Sequence, residues 1–133
     1  MPERLLTKGA ERFQRLIDDA GGSVSTAWVA RFLGCTEGAV RKRAQRKALI
    51  ARRIPSGELR FPRFQFDESK RGVLEGIRVV LGKTDSWTRE EVICFFLLPF
   101  QADASDKTPL SLLQGGDLSR VLNLLETHRA QRP

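Results

Sequence analysis

The chain has 133 residues, with 23 Lys and Arg against 16 Asp and Glu, two Cys, one His and no Tyr; 41% of it is hydrophobic, enough for a packed core of one or two small domains. Cys35 and Cys94 lie far from each other and from His128, which excludes a four-ligand zinc site and a disulfide scaffold and fits a reducing compartment. No stretch approaches the length of a membrane span and the opening MPERLLTKGAERF lacks the apolar run of a signal peptide, so a cytoplasmic location with no membrane partner is expected, while a net charge of +7 points to nucleic acid.

In chain order, Ala10, Phe13, Leu16 and Ile17 recur at helical spacing and predict a first helix over residues 3–20, stopped by Gly21-Gly22. Ser25 is placed to cap a second helix through Trp28, Val29, Phe32 and Leu33, with Gly34 as its terminator. Thr36 can cap a third over residues 37–47, so the pattern is helix, glycine-bearing turn, helix: the spacing of a helix-turn-helix. Leu49-Ile50-Ala51 and Leu59-Arg60-Phe61 flank Pro55-Ser56-Gly57-Glu58 and read as a short hairpin, or wing.

Charge is distributed unevenly along these elements. Residues 1–66 hold 14 basic and 6 acidic residues (+8), whereas residues 67–133 hold 9 and 10 (−1). Arg41, Lys42, Arg43, Arg46, Lys47, Arg52 and Arg53 fall within thirteen residues that contain no acid. Projected at 100° per residue, Val40 and Ala44 point together toward Val29 and Leu33, and Gly38, Arg41, Lys42, Gln45 and Arg46 lie broadly opposite. Such a face suits a major groove: Arg and Lys donate to guanine edges, Gln45 can pair with adenine, and Gly38 leaves room for close approach. Thr36 and the adjacent amides suit a phosphate, and Arg52, Arg53 and Arg60 would add backbone contacts from the wing.

Phe61-Pro62-Arg63-Phe64-Gln65-Phe66 is expected to be an extended junction between two domains, residues 1–60 and 61–133, its phenylalanines packing in the core or between the halves. Val73, Ile77, Val80 and Leu81 mark a fourth helix ending at Gly82. Thr88 and Glu91 form a capping box, stapled by Trp87 and Val92, for a helix that is apolar on every side over residues 92–98 and ends at Pro99. Thr108-Pro109 opens a short helix through Leu112 and Leu113 that Gly115-Gly116 ends, and Asp117 caps a last helix striped by Leu118, Val121, Leu122 and Leu125. The fold class expected is mainly α: a helix-turn-helix with a short β-hairpin wing, followed by a small all-helical domain.

The order and spacing of Phe61-Pro62 to Phe66-Asp67, Leu97-Leu98-Pro99, Lys107-Thr108-Pro109-Leu110-Ser111-Leu112-Leu113 and Gly116-Asp117 before Val121 resemble the Xre/MbcA/ParS toxin-binding antitoxin family. The stretch from Gly21 to Leu49 is similar to the helix-turn-helix that precedes this domain in many members. The likeness covers roughly residues 20–130; it departs from the pattern at residues 102–107, where members carry a glycine-bearing loop and this chain has none. The resemblance implies a type II antitoxin, commonly dimeric. Its N-terminal domain represses the shared operon by binding operator DNA, and its C-terminal domain blocks the cleft of a RES-class, NAD-consuming toxin with which it forms a hetero-oligomer. On this resemblance the toxin-binding residues are Thr108, Pro109, Leu112, Leu113, Gly116 and Asp117. The alternative is a stand-alone helix-turn-helix transcription or excision factor whose C-terminal half only dimerises.

No enzyme, cofactor or metal is expected. Cys94 sits inside the apolar helix, where a thiol acts as a small hydrophobe. Cys35 lies in a turn, His128 reads as exposed, and Asp103, Asp106 and Asp117 have simpler roles in a loop and a cap.

Overall fold

The computed structural model describes residues 3–100 and 107–131, so residues 102–106 of the glycine-free loop lie outside the described residues. In chain order the elements are α1 (Glu3–Asp19), β1 (Ser23–Ser25), α2 (Thr26–Leu33), α3 (Glu37–Gln45), β2 (Arg52–Arg53), β3 (Leu59–Pro62), a 3₁₀ turn (Arg63–Gln65), β4 (Phe66–Asp67), β5 (Gly72–Val73), α4 (Ile77–Lys83), α5 (Arg89–Leu97), α6 (Pro109–Gln114) and α7 (Leu118–Gln131). The described chain is mainly helical, with one three-stranded antiparallel sheet ordered β1-β3-β2 and one β4-β5 pair.

The helix starts follow local chemistry. Ser25 Oγ accepts from the Trp28 N–H at 3.1 Å, Thr36 Oγ1 from the Ala39 N–H at 3.1 Å, and Gly34 ends α2 in the left-handed region at φ 71°. Thr88 and Glu91 close the capping box reciprocally, at 3.1 and 3.0 Å. Thr108 Oγ1 caps α6 at Ser111, with Pro109 at the first helical position, and Asp117 Oδ1 accepts from the Arg120 N–H at 3.2 Å. Each cap satisfies amides that a helix start leaves without an intrahelical partner.

Four elements differ from expectation. First, α3 stops at Gln45 because Lys47 takes a left-handed conformation (φ 59°). The Ala48 N–H then bonds Arg43 O at 2.9 Å and the Lys47 N–H bonds Ala44 O at 3.1 Å, closing the helix as a Schellman-type end. Second, the wing's first strand is Arg52–Arg53, paired with Arg60 and Leu59, and not residues 49–51. The polar groups of Ile50 are taken by a side chain, as described below. Third, β1 joins the sheet edge, with Ser23, Val24 and Ser25 opposite Pro62, Phe61 and Arg60. Fourth, Val73 lies in a strand, not a helix, so the C-terminal part is not all-helical: β4-β5 is a hairpin whose turn is tied by Asp67, which accepts from Ser69 Oγ at 2.6 Å and from the Ser69 and Lys70 amides. α4 cannot start earlier than Ile77 because Gly76 is left-handed (φ 93°) and packs against Leu113; a Cβ there would lie 2.6 Å from Leu113 Cδ1.

Apolar side chains gather in two clusters. One holds Val24, Val29, Val40, Ala44, Leu49, Ala51, Phe61 and Phe66 between α2, α3 and the three-stranded sheet. The other joins Ile17 of α1, Ile50 and Phe64 to the buried faces of α4 to α7. Two short segments form the wall between them. Leu49 and Ala51 point into the first cluster and Ile50 into the second; Phe61 and Phe66 serve the first and Phe64 the second. An uninterrupted strand would put Phe64 and Phe66 on the same side; the 3₁₀ turn at Arg63–Gln65 sends them to opposite clusters.

A wall of backbone between two apolar clusters must satisfy its own N–H and C=O groups. Gln65, fully buried, does this. Its Oε1 accepts from the Ile50 N–H at 2.8 Å, and its Nε2 donates to Ile50 O at 2.8 Å and Pro62 O at 2.9 Å. The main chain of Gln65 adds a 2.7 Å bond from the Leu74 N–H. Gln65→Leu, which keeps roughly the volume and removes the amide, is expected to destabilise the fold by roughly 2–6 kcal/mol, since the buried Ile50 N–H and C=O groups lose their partners at about 1–3 kcal/mol each; urea unfolding of the variant against the wild type measures it, and a difference under about 0.5 kcal/mol would contradict this role.

Candidate nucleic-acid interface

The turn from Gly34 to Thr36 sets α3 across α2, and the Val40 and Ala44 face of α3 is buried against Val29 in the first cluster. The opposite face is left outward: Arg41, Lys42, Gln45 and Arg46 are exposed, while Gly38, near the start of the helix, is half-buried. Among the described residues no carboxylate pairs with Arg41, Lys42, Arg43 or Arg46. Glycine at position 38 is not demanded by the backbone; an added Cβ would meet only ordinary contacts at 3.9 Å. What it provides is a low point on the ridge.

The far end of the ridge is anchored. Lys47 Nζ lies 3.2 Å from Asp85 Oδ1 and also donates to Asp85 O, tying the end of α3 to the turn between α4 and α5. This contact gives a non-glycine residue a use for its left-handed backbone, which costs a bulky side chain on the order of 1 kcal/mol.

The three wing arginines are not equivalent. Neighbouring strand residues face opposite ways, and Arg53 shares a cleft with Arg41 and Gln45, its guanidinium donating to Gly57 O. Arg52 is turned to α1 instead, donating to Gln14 Oε1 at 3.0 Å with its guanidinium 4.9 Å from the centroid of the Phe13 ring. Arg60 pairs with Glu58 at 3.5 Å. The fold therefore brings Arg53 to the face of α3 and does not bring Arg52 or Arg60 into that cleft.

Two residues that the sequence pattern does not connect with this face stand beside it. Arg89, at the first position of α5, lines the same cleft of about 190 Å³ as Arg41, Gln45 and Arg53. Arg78 of α4 lines a second cleft of about 310 Å³ with Arg43 and Arg46. They are 32 to 48 positions from the α3 residues they meet, and no local pattern marks such a pairing.

The residues assigned to a protein partner divide in a different way. Pro109, Leu112 and Leu113 are buried, and Leu112 and Leu113, each 3% exposed, belong to the second cluster, so they form no outward patch. Their apolar character reflects a helix whose inner face must be covered from both sides, by α5 and α7. Thr108 is a half-buried cap. Gly116 (φ 84°) and Asp117 are exposed, and the outward residues of the segment are Ser111, Gln114, Gly115, Gly116 and Asp117. Leu113 and Gly116 also line a cleft of about 310 Å³ with Gly76, Asp67 and Lys70.

His128 is not freely exposed. Its ring is half-buried among Trp87, Phe95 and Phe100, with centroids at 4.8, 6.1 and 5.8 Å, because α7 lays its last turns over the α5 aromatics. Burial, reinforced by Glu90, raises the Cys94 thiol above its ordinary range, which disfavours the thiolate. The Ser69 hydroxyl, with the Ser69 and Lys70 amides, holds the Asp67 carboxyl below its ordinary range against the opposing effect of desolvation. Among the described residues no group of three or more His, Cys, Asp or Glu is arranged to hold a metal, and no helix is long and apolar enough to cross a membrane. Compared with protein-family models, with curated proteins and with solved structures, the chain finds no match.

Proposed function

We propose that this protein is a DNA-binding repressor in which α2, the turn and α3 act as a helix-turn-helix, with α3 in the major groove and the β2-β3 hairpin as wing. The observation that carries the reading is the outward face of α3: four exposed side chains, Arg41, Lys42, Gln45 and Arg46, three of them cationic and none paired with a carboxylate among the described residues. A solvated helix face is usually laced with charges of both signs; past Glu37 in its first turn, α3 carries cations only, with hydrogen-bonding ends suited to base edges. Thr36 and the first amides of α3 would meet a phosphate, and Arg53 another, while Arg52 and Arg60 serve the fold first.

The likeness to the Xre/MbcA/ParS family supports a second role, as the antitoxin of a type II pair that blocks a RES-class, NAD-consuming toxin and represses its own operon. In that role Leu112 and Leu113 brace the interface from behind. The surface offered is the polar rim of Ser111, Gln114, Gly116 and Asp117, held by the Thr108 and Asp117 caps. Such a role needs a preformed patch and no chemistry of its own.

Arg41→Ala and Lys42→Ala are each expected to lower the magnitude of the slope of log K against log salt by about 0.9 for every phosphate that the variant no longer neutralises; fluorescence anisotropy of a labelled duplex over 50–200 mM NaCl reads it, and unchanged slopes in both variants would overturn the assignment of α3. For the second role, co-expression of the full chain with the toxin encoded beside it is expected to restore growth, and Gly116→Arg, at an exposed position, to abolish the rescue. DNA binding without any rescue would leave a stand-alone transcription factor.

A further inference from the structure

The clefts on the two sides of α3 have the same chemistry and draw on the same distant part of the chain. On one side Arg41 and Arg53 meet Arg89; on the other Arg43 and Arg46 meet Arg78 over a floor formed by Leu49 and Val73. On a helical projection Arg41 and Gln45 lie on one flank and Arg43 and Arg46 on the other, with Gly38 and Lys42 on the ridge between. Arg78 is exposed and Arg89 half-buried, and no carboxylate among the described residues pairs with either. Three arginines lining one cleft concentrate positive charge that an anion would offset. Here that arrangement occurs twice, symmetrically placed about a single helix.

A helix with its side chains is about 10–12 Å across, and the major groove of B-DNA about 12 Å wide, so a helix seated there has a phosphate backbone along each flank. The planar guanidinium matches phosphate oxygens with paired donors. Resting on the reading of α3 as the groove-seated helix, we propose that Arg78 and Arg89 contact phosphates of opposite strands, so that the half of the chain with a net charge of −1 supplies two brackets of the DNA footprint. α4 and α5 then fix the angle at which α3 enters the groove. The Lys47–Asp85 contact holds the α4–α5 turn against the end of α3. A-form RNA has a deep, narrow major groove that does not admit the helix, so the partner is duplex DNA.

The test uses the full chain and a fluorescein-labelled 30-base-pair duplex of mixed sequence, read by anisotropy from 50 to 200 mM NaCl. Arg78→Ala and Arg89→Ala are each expected to reduce the magnitude of the salt slope by about 0.9, and the double variant by about twice that. Arg129→Ala removes the same charge from α7, at a residue that lines neither cleft, and is expected to leave the slope unchanged. Melting temperatures within a few degrees of wild type confirm that the variants fold. A double variant with the wild-type slope, or an equal loss in Arg129→Ala, overturns the proposal. If Arg41→Ala and Lys42→Ala lower the slope while Arg78→Ala and Arg89→Ala do not, the helix-turn-helix reading stands and only the brackets fall. If the wild type fails to bind the duplex at 50 mM NaCl, both fall together.

Discussion

A single buried carboxamide allows two apolar clusters to share one wall. The segment at residues 49–51 and the one at residues 61–66 alternate their side chains between the clusters, which strands peptide groups where no water can reach them. Gln65 answers with one acceptor and two donors, all used, on Ile50 and Pro62. An aliphatic residue would fill the space and leave the peptide groups unpaired; a charged one would add a desolvation penalty that nothing nearby offsets. Glutamine is the residue that closes the wall, and beside it the Lys47–Asp85 contact ties the end of α3 to the turn between α4 and α5.

That placement changes the meaning of the charge distribution. Along the chain, the basic excess belongs to residues 1–66 and the remainder is almost neutral. In space, Arg78 and Arg89 leave their acidic neighbours and stand with the arginines of α3 and the wing. Conversely, some of the basic residues of the first half are committed to the fold: Arg52 to α1, Arg63 to Glu68 and the Trp28 ring, Lys47 to Asp85. Net charge counts the cations, while the geometry decides which of them the fold leaves unpaired.

What was legible in the sequence was local. Ser25, Gly34, Thr36, the Thr88–Glu91 box, Thr108-Pro109 and Asp117 all act where their spacing placed them, because a cap is a contact between residues three or four apart. The periodicity of α3 likewise separated its buried from its outward face. What was hidden depends on distant partners. The pairing of β1 with β3 joins residues nearly 40 apart, Gly76 is left-handed for the sake of Leu113, and the partner of Gln65 is a backbone 15 residues away. The polar context of His128 suggests surface, yet α7 sets its ring against the aromatics around α5, and Leu113 is buried by the packing of α6 between α5 and α7.

The shared wall couples the two clusters into one cooperative unit and so keeps the arginines of α4 and α5 in register with α3. The chain carries one tryptophan at each cluster, Trp28 beside the first and Trp87 within the second. Urea unfolding of Trp28→Phe and of Trp87→Phe, each followed by the fluorescence of the remaining tryptophan and by far-ultraviolet circular dichroism, tests this coupling most directly. A cooperative unit has, within each variant, one sigmoid with coincident midpoints for both signals. A fluorescence midpoint displaced from the dichroism midpoint, with Trp28 and Trp87 reporting separate transitions, would contradict it.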